Sequence, residues 1–80
     1  MLGGDKMKFN YSKLLGRIRE RGFTQASLAA AIGISKCTLS AKLNNQNYFL
    51  SSEIVSICEI LNILAKDIPS YFFTQQVQKN

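Results

Sequence analysis

Residues 24–45 read TQASLAAAIGISKCTLSAKLNN, and the fold of the chain turns on them. Thr24 is a good N-cap, and Leu28, Ala29 and Ile32 recur at the three- and four-residue spacing of one helical face. This predicts a helix over Gln25–Ile32. Gly33 follows its last apolar residue, where a left-handed C-terminus is least costly for glycine. Ile34 can turn inward as an apolar plug. Ser35 is a second N-cap, and residues 36–44 resume the helical pattern through Leu39 and Leu43. About three residues separate the two helices, and a glycine turn that short predicts a steep helix-turn-helix crossing.

The outward side of the second helix has its own chemistry. Ser35, Lys36, Cys37, Ser40, Ala41 and Lys42 are small, polar or cationic, and residues 22–52 contain no Asp or Glu. Donors and small side chains suit a surface that lies against phosphates and base edges, whereas a carboxylate would repel the backbone.

Gln25, Ala29, Gly33, Ser35, Leu39 and Asn44 together carry a resemblance to the phage repressor and Cro-like (lambda repressor-like, XRE-type) helix-turn-helix family, and the similarity extends over roughly residues 11–73. One position departs from the pattern. The family has an apolar residue three places after Leu39, where this chain has Lys42 and puts Leu43 one place later; both spacings reach the same helix face. The resemblance implies an all-α, five-helix lambda repressor-like DNA-binding domain with the helix-turn-helix at helices 2 and 3. It also implies a small phage or prophage Cro/repressor-type transcription regulator that binds double-stranded DNA as a homodimer.

Composition is consistent with this. The 80 residues are 46% hydrophobic, enough for one small core, and no second domain fits. The expected layout is a leader or tag at 1–7, the domain at 8–74 and a polar tail at 75–80. The chain has no histidine, and its two cysteines, Cys37 and Cys58, are not paired in a C-x-x-C motif, so no metal or cofactor is expected. No signal peptide and no membrane-length apolar run is evident, which points to a cytoplasmic, nucleoid-associated protein with free thiols and no membrane partner. The net charge is +5, and residues 1–50 hold eight Lys/Arg against two acids. Such asymmetry is an electrostatic footprint of nucleic-acid binding, although a solvated basic face has the same composition.

Along the chain, Asn10 is the expected N-cap of a first helix over 11–21, with Tyr11, Leu14, Leu15 and Ile18 inward. Gly22 ends it. Arg17, Arg19 and Arg21 crowd its last turns, where they suit the helix dipole as well as they suit phosphate. Residues 45–49 form an amide-rich loop leading to Phe49 and Leu50, both expected in the core. Ser51 or Ser52 caps a fourth helix to about Leu61, with Cys58 on its apolar face. Asn62 ends that helix. A short fifth helix over 64–73 has a separate first turn before Pro69. Tyr71, Phe72 and Phe73 either close the core or serve a dimer interface, and residues 74–80 are expected to fray.

In a major groove, Ser35, Lys36, Cys37, Thr38, Ser40 and Ala41 would meet base edges. Thr24, Gln25, Lys42, Asn44, Asn45, Asn47 and Arg17 would meet phosphates. One such module makes few base contacts, so a dimer on an inverted repeat is expected, with half-sites roughly 34 Å apart. The same fold could instead serve an antitoxin or an adapter that binds mainly protein. Catalysis is not expected: Glu20, Glu53, Glu59 and Asp67 lie on different helical segments, and no nucleophile elbow or phosphate loop is present.

Overall fold

The computed structural model describes residues 8–75, and in them the chain is all-helical. The elements are α1 (Ser12–Glu20), α2 (Gln25–Ile32), α3 (Lys36–Leu43), α4 (Ser51–Leu61), a 3-10 turn (Ala65–Asp67) and α5 (Ile68–Phe72). The leader expected at 1–7 and the tail beyond Gln75 lie outside the described residues.

Four of the helices end by one device. A residue with positive φ (Gly22, Gly33, Asn45 or Asn62) breaks the helix, and the next N–H donates to a carbonyl five residues back. These bonds run from Phe23 to Ile18, Ile34 to Ala29, Gln46 to Ala41 and Ile63 to Cys58. After α1, α2 and α4 the returning residue is apolar and packs with the core. After α3 it is the exposed Gln46, so the exit of α3 stays open to solvent.

The core gathers around Leu14, Ile18, Leu28, Leu39, Ile57, Leu61 and Phe72, all essentially without exposure. α2 packs on α3 and on α4, and α1 packs on α5. An aromatic chain closes one end: Phe73 meets Phe9 edge-on at 5.8 Å, Tyr11 meets Phe49 at 5.5 Å, and Phe49 meets Phe72 at 5.4 Å. Phe72 thus belongs to the core, Tyr71 is half-buried with Lys13 Nζ 4.8 Å from its ring centre, and Phe73 stays exposed.

Several boundaries shift from expectation for local reasons. Asn10 Oδ1 accepts from Ser12 N, so α1 starts one residue later than its side-chain cap suggests. Leu50, not a serine, precedes α4; its N–H donates to Glu53 Oε1, and its side chain is exposed rather than in the core. Thr74 does not fray: its hydroxyl donates to Ser70 O and its carbonyl accepts from Asn10 N. An isolated antiparallel bridge joins Phe9 to Gln75 beside it.

Candidate functional site

α3 is presented by its own start. Ser35 Oγ accepts from Thr38 N at 3.1 Å and lies 2.8 Å from Thr38 Oγ1, so the two hydroxyls are engaged with each other at the tip of the helix. α2 starts on a reciprocal cap: Thr24 Oγ1 accepts from Ser27 N, and Ser27 Oγ accepts from Thr24 N.

Along the outer side of α3, Lys36, Cys37, Ser40, Ala41 and Asn44 line a shallow groove of about 310 Å³, with Gln46 at its far end. Asn44 Nδ2 reaches Ser40 Oγ across it at 3.4 Å. Thr24 and Gln25 fall instead in a second cavity of about 400 Å³ between α1, α2 and α3. Lys36 borders both cavities. Asn47 is exposed but does not line the groove. The site expected from sequence omits Gln46; the signal for it is Asn45, whose left-handed conformation lets Gln46 N donate back to Ala41 O.

Three residues expected at phosphates are placed elsewhere. Lys42 is buried (6% exposed), and its Nζ donates to Glu53 Oε1 at 2.5 Å. The same carboxylate oxygen accepts from Leu50 N at 2.9 Å, so one buried anion ties the last turn of α3 to the first turn of α4. Burial alone would raise the Glu53 carboxyl, but hydrogen bonds from Lys42 and Leu50, with the Lys42 charge, hold it below its usual value. Lys42 thus stands on the inner face of α3 as an ion-paired cation.

Arg17 is also spent internally. Its Nε and one terminal nitrogen donate to Leu61 O and Asn62 O, both at 3.0 Å, and the other reaches Glu20 Oε1 at 3.0 Å. The guanidinium caps the C-terminus of α4, where carbonyls lack helical partners. Asn45 completes the set: its Nδ2 donates to Phe9 O and its Oδ1 accepts from Phe9 N, both at 2.9 Å. Among the described residues of α3, Lys36 is therefore the one exposed cation.

Cys37 is exposed in the groove, and Cys58 is buried, where desolvation raises its thiol pKa. Burial likewise raises the Tyr11 phenol, with a smaller contribution from Tyr48. Among the described residues, no His, Cys, Asp and Glu cluster could hold a metal ion, and no helix is long and apolar enough to cross a membrane.

Fold and surface together define a small all-helical domain whose exposed feature is a short, acid-free helix beside two cavities. The chain belongs to the family described as a protein of unknown function (DUF739), whose pattern it matches over residues 7–75. It is similar to the solution structure of the modulator of repression (MOR) of the temperate bacteriophage TP901-1 from Lactococcus lactis, with 40% identity, a TM-score of 0.73, and coverage of 90% of this chain and 97% of that one. No curated protein matches the chain.

Proposed function

We propose that this chain is a small phage regulatory protein that modulates repression by binding a protein partner, using a helix-turn-helix fold as an adapter and performing no catalysis. The observation that carries the reading is the burial of Lys42 against Glu53. With Arg17 and Asn45 also turned to internal work, the surface keeps small polar side chains and one lysine on α3. Duplex binding draws much of its strength from cations at phosphates, and α3 itself offers one, Lys36. Small side chains flanked by shallow cavities suit a protein surface better. The likeness to a modulator of repression supports the same reading.

The second reading is an operator-binding homodimer. It is favoured by the outward placement of Lys36, Cys37, Ser40 and Ala41 and by the absence of acids from residues 22–52. In that reading Ser35 and Thr38 read bases only after exchanging their mutual hydrogen bond, and Thr24, Gln25, Asn44 and Asn47 supply the phosphate contacts. The exposed Phe73 is available to a dimer.

A reporter promoter in bacterial cells separates the two. The adapter reading expects this chain to change expression only when the repressor of the phage or prophage that encodes it is co-expressed. Silencing of the promoter by this chain alone would favour the operator-binding dimer.

A further inference from the structure

The cavity of about 400 Å³ between the end of α1, the start of α2 and the first turn of α3 combines two chemistries. Ile18 is buried and Leu15 and Phe23 are half-buried, giving an apolar floor. Arg19 and Lys36 are exposed at its border, with Gln25 between the helices they stand on. Among the described residues neither cation has an ion pair: the two pairs present are Arg17 with Glu20 and Lys42 with Glu53. No acid lines the cavity, and the nearby Glu20 is paired with Arg17. The N-terminus of α2 adds a partial positive potential, reduced by the reciprocal cap that takes the Thr24 and Ser27 N–H groups.

We propose that this cavity is the docking point of the partner protein and receives an acidic side chain together with an adjacent apolar one, as from an amphipathic turn carrying Asp or Glu beside Leu or Phe. The proposal rests on the protein-binding reading and names the chemistry of that partner. The apolar floor decides for protein over nucleic acid. A phosphate backbone would satisfy Arg19 and Lys36 but would leave Leu15 and Phe23 against charge, whereas a side-chain pair of mixed character satisfies both parts. A buried apolar anchor with a charge pair at its edge is the usual energetic centre of a protein interface. The volume is near the lower end of small-ligand pockets, which suits one or two side chains rather than a whole helix.

The test screens the full chain against a random peptide library and follows the enriched peptides by titration and by amide shifts of the isotope-labelled protein. The expected result is enrichment of peptides with Asp or Glu next to a large apolar residue, with shifts at Leu15, Phe23, Gln25 and Lys36. Binding should weaken about tenfold or more in Arg19→Glu/Lys36→Glu and stay unchanged in Lys66→Glu. Arg19→Ala/Lys36→Ala, which keeps the helices free of new acids, should show a smaller loss in the same direction. Enriched peptides without acids, or with shifts elsewhere, would overturn the cavity assignment while leaving the protein-binding reading intact. If no peptide is enriched and a mixed-sequence duplex shifts these amides instead, the corner is a phosphate site and both readings fall.

Discussion

Lys36 and Lys42 stand on the same short helix and meet opposite surroundings. Lys36, in the first turn of α3, is exposed between two cavities and has no ion pair among the described residues. Lys42, in the last turn, is buried and bound to Glu53. The first turn has a side-chain cap at its start and ends on the fully buried Leu39, and the last turn carries Leu43 and an ion pair to α4, all three on the inner side of the helix. The outer side of α3, with Lys36, thus faces solvent, and its inner side holds the helix in place. A buried ion pair is a weak source of net stability but can fix one arrangement over others, because each charge tolerates few partners. Here it joins the last turn of α3 to the first turn of α4 with a cation that the surface then lacks.

Substitutions along α3 should separate its inner side from its outer side, and the largest effect should come from the inner one. Leu39→Ala removes a fully buried side chain and should cost about 4 kcal/mol in denaturant unfolding. Glu53→Ala leaves Lys42 buried without its anion and should cost about 3 kcal/mol, whereas Lys42→Met/Glu53→Leu should unfold near the wild type. A single and a double variant of equal stability would show that the pair does not hold α3.

The same pair predicts a pH dependence. Since the folded Glu53 carboxyl is lowered, its contribution is complete above the ordinary Glu value of about 4.3 and is lost as pH falls through the lower folded value. Melting temperatures measured across that acid window should fall more steeply for the wild type than for Lys42→Met/Glu53→Leu. Parallel curves would assign the acid sensitivity to other groups.

Effects shrink on the exposed side. Ser35→Ala removes the cap of α3 and should cost about 1 kcal/mol by thermal unfolding. Lys36→Ala should change stability by no more than about 0.5 kcal/mol, because its side chain is exposed and unpaired among the described residues. Its effect should appear in partner binding instead.

The contrast also marks what could be read before the fold was seen. α2, the turn at Gly33 and the start of α3 follow from local signals: caps at Thr24 and Ser35, glycine where φ is positive, and apolar residues at helical spacing. The outward placement of Lys36, Cys37, Ser40 and Ala41 follows from the same periodicity. The fates of Lys42, Arg17 and Asn45 do not, because each is set by a distant backbone or carboxylate: Glu53 on α4, the carbonyls ending α4, and Phe9 in the N-terminal segment. Its charge sets Lys42 among the outward residues in the sequence, and only the Glu53 carboxylate makes its buried position tolerable. Leu50 misled for a related reason: its backbone N–H serves the Glu53 carboxylate, and this leaves its side chain outside.

Selection from a random duplex library at about 0.15 M salt, run with the wild type and with Lys36→Ala, tests the central claim most directly. An adapter whose phosphate-facing cations are turned inward should enrich no inverted repeat from the pool, and the two proteins should behave alike. Enrichment of an inverted repeat by the wild type, lost or altered in Lys36→Ala, would contradict the account and make this chain an operator-reading protein.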